Sequence, residues 1–280
     1  MAVRVHHVLS AADAVRTYVK PGTVIGMGGQ NINRCPMALV HEVARQGIGD
    51  LTVVGCNLSL PLDILVACGL VARTEQGSGN LERYGTLFAW RRAVERGEIE
   101  PRDHSHLAMA TRFAAAANGV PFMPTRSLLG SDLLTGLTEA EVARVSEDPW
   151  SGDPVVLMRA LSPDVSLIHA HRADLAGNVV IEGVTSHEVD MVRASKTTIV
   201  SVEEIVPTLS ERPEEVTISG AYVSAVVESP RGAYPTAVYR RYDFAEDEIK
   251  NYQRLARAGG ADFAAWIAEN VLRQPERSAT

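Results

Sequence analysis

The segment Asp103-His104-Ser105-His106 holds the side chains best suited to proton chemistry. A neutral imidazole accepts or donates a proton near pH 7, so His104 or His106 could act as a general base or as a hydrogen-bond donor. The two histidines share a face only if the segment is extended. Metal binding would require a third ligand, and none stands at a recognisable spacing, so we expect no metal site.

The first of two glycine-rich loops contains Gly28, Gly29, Gln30, Asn31 and Arg34. Paired glycines let backbone N–H groups approach a ligand closely, and the helix predicted after the loop adds a positive partial charge. The loop therefore suits a phosphate, a carboxylate or a thioester oxyanion, although a tight structural turn explains it equally well. It lacks the Gly-Lys-Ser/Thr sequence that ends a P-loop, and its glycines do not have the spacing of a dinucleotide-binding fingerprint.

The second glycine-rich loop spans residues 77–85 and offers Ser78, Gly79, Asn80 and Glu82. A flexible polar loop between apolar elements often holds substrate groups. A plain surface loop is an equally good interpretation.

Other polar residues are better explained by structure than by chemistry. His169 and His171 should lie on one face at the end of a central strand, where a hydrogen-bonded structural histidine is the more common case. Glu203 and Glu204 are adjacent on a strand and so point apart. Cys35 fits a small buried apolar residue better than a nucleophile.

Composition excludes several classes of protein. The chain has 280 residues, of which 46% are hydrophobic and 22% charged, with a formal net charge of −7 and no block of Lys or Arg. These values indicate a globular protein without a nucleic-acid interface. The three cysteines show no Cys-x-x-Cys spacing, which argues for reduced thiols. We see no signal peptide and no apolar run of about 18 residues, so we expect a cytoplasmic location without a membrane span.

Strand–loop–helix units recur along the chain, which predicts a mostly parallel α/β sheet flanked by helices. Such sheets bind ligands at the carboxyl ends of their strands, where residues 28–34 are expected. We predict one domain over residues 1–280, with residues 130–152 forming a surface excursion that serves as a lid or a partner contact. The predicted strands cover residues 23–27, 51–55, 155–158, 166–170, 179–181, 198–202 and 223–228.

Several segments in order resemble the alpha subunits of family I coenzyme A transferases, of the glutaconate CoA-transferase type. The resemblance covers nearly the full length and implies the CoA-transferase (NagB/RpiA-like) fold. The matching segments are residues 28–36, 47–54, 97–100, 120–124, 164–178, 202–206 and 232–235, although the last has Tyr234 where the family has a histidine.

The resemblance also implies a mechanism and a partner. Such enzymes pair this subunit with a homologous beta subunit, as a heterodimer or heterotetramer, and the nucleophilic glutamate is on beta. A coenzyme A thioester is the substrate, and no cofactor is permanently bound. This chain would supply one wall of the acyl pocket, for which residues 28–34 and 77–82 are the candidates.

One departure from the family leaves the reaction open. Transferases carry a glutamine where His106 aligns, and related hydrolases that open the last steroid ring as a CoA thioester resemble this chain but carry a glutamate there. His106 could orient an acyl group, which fits transfer, or activate water, which fits hydrolysis or C–C cleavage. An alignment shifted by two residues would give the role to His104. A regulatory subunit without catalysis is the third alternative.

Overall fold

The computed structural model describes residues 7–273. Its strands alternate with helices over most of the chain, as the sequence predicts. The strands are β1 (His7–Val8), β2 (Val24–Met27), β3 (Leu51–Leu58), β4 (Val71–Gly79), β5 (Glu100–Asp103), β6 (Phe122–Thr125), β7 (Ala143–Glu147), β8 (Pro154–Arg159), β9 (Val165–Asp174), β10 (Val179–Val180), β11 (Thr197–Val206) and β12 (Ala225–Glu228).

Cap residues mark the ends of several helices. Ser10 caps the first helix by accepting a hydrogen bond from the Asp13 backbone N–H, and Gly259 separates the last two helices. The helices are α1 (Ala11–Tyr18), α2 (Met37–Arg45), α3 (Leu60–Ala67), α4 (Phe88–Glu95), α5 (His106–Ala117), α6 (Leu133–Glu139), α7 (Glu188–Ala194), α8 (Glu246–Ala258) and α9 (Gly260–Ile267), after which residues Ala268–Leu272 form a π-helical turn.

A nine-stranded sheet forms the centre of the molecule, in the order β1-β12-β11-β9-β2-β3-β4-β5, with β10 added beside β9. All neighbours along this order are parallel, and only β10 is antiparallel. The prediction of a mostly parallel α/β sheet is confirmed. Two central strands extend further than predicted, since β9 continues through Asp174 and β11 through Val206, whereas β10 and β12 are shorter than the predicted ranges 179–181 and 223–228.

Alternating strand residues bury both faces of the sheet. Val53 and Leu167 pack into one core with side chains of α1, α2, α3, α4, α8 and α9. Their neighbours Val54 and Ile168 pack into a second core with Met109 of α5 and residues of α7. Apolar side chains on both faces explain the nearly continuous apolar runs that predicted these strands.

Residues 130–152, the predicted surface excursion, contain α6 and β7. The strand β7 pairs antiparallel with β8, which in turn pairs with β6, in a separate three-stranded sheet. A small apolar cluster that includes Leu137, Val142 and Val156 packs this sheet against Ala108 of α5. The single-domain organisation and the lid or partner role of this segment stay predictions. Within residues 7–273, no helix combines the length and apolar character needed to cross a bilayer.

Candidate active site

Three candidate segments meet at the carboxyl edge of the sheet. The loop after β2 contains Asn31, whose backbone carbonyl accepts a hydrogen bond from Ser59 Oγ just beyond β3. The register of β3 and β4 places Asn57 beside Ser78 and Leu58 beside Gly79. Since parallel strands end at one edge, residues 28–34 lie at the carboxyl edge of the sheet, where the sequence predicts them, and the end of β3 separates them from the second glycine-rich segment. Residues 77–79, however, belong to β4 and are not a loop.

His106 enters this edge as the first residue of α5. Ser105 caps the helix by accepting the Ala108 backbone N–H at 3.0 Å, and the His106 side chain faces solvent. Its Nε2 lies 2.9 Å from Ser78 Oγ, and that hydroxyl donates to Asn57 Oδ1. The helix start, the β4 end and the β3 end are thus joined through side chains.

Gly77 permits this close approach. A Cβ placed on Gly77 would lie 2.5 Å from His106 Cδ2, 2.9 Å from His106 Cα and 2.8 Å from the Cys56 carbonyl oxygen. Two of these neighbours are backbone atoms that cannot move aside cheaply. The glycine is therefore required for His106 to approach β4.

A buried ion pair fixes the shape of the first glycine-rich loop. Arg34 is 3% exposed and pairs with Glu188, which also accepts the Gly29 backbone N–H at 2.9 Å. The guanidinium further donates to the carbonyls of His169 at 2.9 Å and Val184 at 2.7 Å. A Cβ on Gly28 would lie 2.7 Å from Glu188 Oε1. Arg34 thus anchors the loop, and its charge is largely neutralised by Glu188.

Two amide side chains of this loop have buried oxygens without protein partners. Gln30 Oε1 and Asn31 Oδ1 accept no hydrogen bond from any group in the part of the chain described. Most buried polar atoms in folded proteins are paired, so these oxygens are candidates to receive donors from a ligand or a second chain.

Two open cavities flank the loop that precedes α7. One, of about 360 Å³, lies between Gln30, Asn33, Arg34, Gly183, Val184 and Tyr239. The other, of about 290 Å³, is lined by Cys56, His106, Leu107, Ser186, His187 and Asp190. We call the surface formed by these two cavities the cleft. Its mixture of apolar walls and a few polar groups is typical of small-molecule sites.

His104 does not reach the cleft. Its side chain is buried, with Nε2 3.4 Å from Glu75 Oε2 and 3.2 Å from Arg112 Nη1. Burial lowers the pKa of His104 below its usual 6.5, although the neighbouring Glu75 opposes that effect. Burial acts to raise the pKa of Glu75. Its hydrogen bonds and ion pairs outweigh that effect and hold the pKa far below its usual value; the partners are His104, Arg112 and Arg102, and Arg102 lies 2.9 Å from the carboxylate. His104 is therefore part of a buried ionic cluster.

The remaining candidates lie near the cleft or in structural networks. Asn80 Oδ1 accepts the Glu82 backbone N–H at 2.9 Å, and the Glu82 side chain is exposed. Burial raises the pKa of the Cys35 thiol to about 11 and that of Cys56 to about 12, which leaves both protonated near pH 7. Among residues 7–273, no group of three or more His, Cys, Asp or Glu side chains could hold a metal ion.

His169 is hydrogen-bonded within the sheet rather than at its end. Its Nδ1 lies 2.9 Å from Ser201 Oγ and its Nε2 2.8 Å from Glu203 Oε1, which also accepts the Tyr242 hydroxyl at 2.7 Å. Burial acts to raise the pKa of Glu203, but these bonds bring it to about 2. The side chain of Glu204 points elsewhere and lies 3.2 Å from Arg241 Nη2. These pairs fit the structural roles favoured by the sequence.

Sequence reasoning missed Asn57, Ser59 and Glu188. Asn57 and Ser59 interrupt an apolar run at the end of β3, which is the signal that could have found them. Glu188 gives no local signal, since it contacts the glycine-rich loop from 154 residues away along the chain.

Comparisons with known proteins show the family of the chain. The model of the coenzyme A transferase family matches residues 8–229. The A subunit of glutaconate CoA-transferase from Acidaminococcus fermentans is 32% identical over 95% of this chain and 88% of its own. The A subunit of 3-oxoadipate CoA-transferase from Pseudomonas knackmussii is 30% identical over 94% and 93%.

Two further relatives differ from these subunits, one in its length and one in the reaction for which it is named. A protein of Archaeoglobus fulgidus is 39% identical over 89% of this chain, which spans only 56% of that relative's length. The IpdA subunit of a cholesterol ring-cleaving hydrolase from Rhodococcus jostii is 30% identical over 89% of this chain and 86% of its own.

The solved structure of the Acidaminococcus fermentans glutaconate CoA-transferase superposes with a TM-score of 0.90 and 31% identity, covering 95% of this chain and 88% of that one. The predictions of fold and family are confirmed. The chain belongs to the coenzyme A transferase family and is one of its A, or alpha, subunits.

Proposed function

We propose that this chain forms, with a homologous beta subunit, an enzyme that moves CoA between an acyl-CoA thioester and a small carboxylic or dicarboxylic acid. The observation that supports the proposal best is the meeting of residues 28–34, Ser78 and His106 at one edge of the sheet. Glutaconate and 3-oxoadipate, named for two relatives, are the first acids to test.

In this proposal the reacting carboxylate comes from the beta subunit. That carboxylate attacks the thioester carbonyl, the C–S bond breaks, and an acyl anhydride and CoA thiolate form. The thiolate then attacks the anhydride at the enzyme's carbonyl, which releases the acid and leaves an enzyme-bound CoA thioester, and the second acid reverses both steps. Two smaller barriers replace one large barrier.

This chain would supply the wall that holds the acyl group and part of CoA. The buried side-chain oxygens of Gln30 and Asn31 can accept hydrogen bonds from N–H groups such as those of the pantetheine amides. The side-chain NH2 groups of the same two residues can donate hydrogen bonds to a developing oxyanion. Val184 and Tyr239 offer apolar surface beside them. We also propose a cytoplasmic location, in line with cysteines that are all free thiols.

The test is reconstitution of the pair. The chain is co-expressed with a beta subunit, and formation of glutaconyl-CoA or 3-oxoadipyl-CoA from an acyl-CoA donor is followed. We expect no turnover by this chain alone, and acid-dependent turnover by the pair with a borohydride-trappable thioester on the beta subunit. Release of free CoA at the same rate without an acceptor acid would overturn transfer.

A second candidate function is hydrolysis or C–C cleavage of an acyl-CoA, with His106 as the base. It is favoured by the exposed His106 imidazole in the cleft and by the similarity to a ring-cleaving hydrolase subunit. His106→Gln separates the two functions, because glutamine cannot take up a proton from water. We expect the variant to keep at least a substantial part of transfer activity and to lose hydrolysis by about 100-fold or more, on the order of general-base contributions.

A regulatory subunit without catalysis makes a different prediction. In that case the purified pair would bind no CoA thioester in a calorimetric titration.

A further inference from the structure

The hydrogen-bond chain His106–Ser78–Asn57 determines which nitrogen of His106 carries the proton. The Ser78 hydroxyl has a single proton, and it donates that proton to Asn57 Oδ1. Ser78 Oγ can then contact His106 Nε2, 2.9 Å away, only by accepting. The Nε2 atom must therefore be the protonated one.

We infer that neutral His106 is held with its proton on Nε2, so that Nδ1 is the basic atom presented to the cleft, and that Ser78 and Asn57 are positioning residues for it. The inference rests on the proposed function in that the cleft is taken as the active site. It gives Ser78 a different task from direct substrate binding.

The surroundings of the imidazole are consistent with this assignment. No group within residues 7–273 forms a hydrogen bond with His106 Nδ1, and the side chain lines the 290 Å³ cavity. Asn57 is 9% exposed, so its amide is largely shielded from water and keeps a defined partner. Gly77 leaves the space that the ring occupies beside β4.

The tautomer decides what His106 can do. A neutral imidazole whose unprotonated Nδ1 faces the cleft can accept a hydrogen bond or a proton there, but it cannot donate a hydrogen bond. The side-chain amide of a glutamine, in contrast, can donate one through its NH2 group. When Nδ1 takes a proton from a substrate group or from water, the Nε2–H remains bonded to Ser78, so the ring does not have to turn. His106 is thus placed as a proton acceptor for hydrolysis and as a hydrogen-bond acceptor in transfer.

Neutron diffraction from crystals of the reconstituted pair at about pH 8.5 tests the assignment directly, because it locates the deuterium atoms on nitrogen and oxygen. We expect deuterium on His106 Nε2 and on Ser78 Oγ towards Asn57 Oδ1. Deuterium on Nδ1, alone or together with Nε2, would overturn the inference. So would an Asn57 amide turned to donate from Nδ2. This readout needs no turnover, so it stands even if the proposed function fails.

Kinetics of the pair test the positioning role. In thioester hydrolysis, the reaction that uses His106 as a base, Ser78→Ala should lower kcat by about tenfold to 100-fold with little change in KM, because the base loses its fixed orientation, and Ser78→Thr, which keeps the hydroxyl, should restore most of the rate. Ser201→Ala is the matched control, since Ser201 binds the ring of His169 outside the cleft, and its kcat should be unchanged. Equal kcat for Ser78→Ala and wild type, or a loss that Ser78→Thr does not restore, contradicts the role.

Discussion

His104 and His106 stand two residues apart and have opposite environments. His104 is 3% exposed and lies against Glu75 and Arg112, whereas His106 is exposed in the cleft and bonded to Ser78. The first belongs to a buried ionic cluster and the second to a surface where a ligand can bind. The same residue type therefore serves as an anchor in one place and as a candidate catalytic group in the other.

The junction between β5 and α5 produces this difference. The His104 backbone N–H donates to the Gln76 carbonyl at 2.8 Å, which continues the pairing with β4, and Ser105 then caps the helix. The chain changes from extended to helical between the two histidines, so their side chains diverge. The ionic cluster holds the junction in place, and the junction sets the position of His106. Four changes to the chain test this relation.

Loss of the cluster's carboxylate should have the largest effect. Glu75→Ala leaves Arg112, which is 4% exposed, without its ionic partner in the protein interior. We expect the free energy of unfolding to fall by about 3–5 kcal/mol, as measured by urea denaturation. Glu95→Ala is the control, because Glu95 pairs with Arg91 at the surface of α4, and it should cost less than about 1 kcal/mol. Equal losses of unfolding free energy in the two variants would show that the buried cluster stabilises the fold no more than a surface ion pair does.

A methyl group added at Gly77 should disturb the packing of the β5–α5 junction on the side that faces the cleft. Gly77→Ala places a Cβ against His106 and the Cys56 carbonyl, so we expect a loss of about 1–3 kcal/mol in unfolding free energy, typical of overpacking, together with a lower kcat. Gly49→Ala is the matched control, since a Cβ there meets nothing within 4 Å. A crystal structure of the Gly77 variant with His106 still bonded to Ser78 would contradict the steric argument.

Much of this arrangement follows from sequence patterns. Apolar runs with turn residues predicted the sheet, and the position of Gly28 and Gly29 after a strand predicted their place at its carboxyl edge. The separate fates of His104 and His106 were not predictable, because they depend on Glu75 and Arg112, which the fold brings together. The inclusion of Ser78 in β4 depends on its pairing with Asn57, and such a register is decided by long-range contacts.

Acid should weaken the anchor through His104. Because burial keeps the pKa of His104 below 6.5, the unfolded chain binds its proton first as the pH falls. The contribution of neutral His104 is therefore complete above pH 6.5 and decreases below it. His41, whose pKa burial lowers to about 4, adds a similar decrease between pH 6.5 and 4.

The measurement is the free energy of unfolding of wild type and His104→Gln from pH 7.5 to 5. We expect the variant to be less stable at pH 7.5 and to show a shallower decline. The contributions of His41 and of the other histidines whose pKa burial lowers, His169, His171 and His187, are common to both proteins. Parallel curves would mean that His104 does not titrate differently in the folded and unfolded chains.

The smallest effect on stability is expected at His106. Because its side chain is exposed and makes one hydrogen bond, His106→Gln should change the free energy of unfolding by less than about 0.5 kcal/mol. Parallel urea denaturation of His106→Gln and His104→Gln at pH 7.5 measures the contrast directly, since the His104 variant disturbs the buried cluster. A loss at His106 as large as that at His104 would mean that the cleft histidine also holds the fold together, and the division between anchor and candidate catalytic group would be wrong.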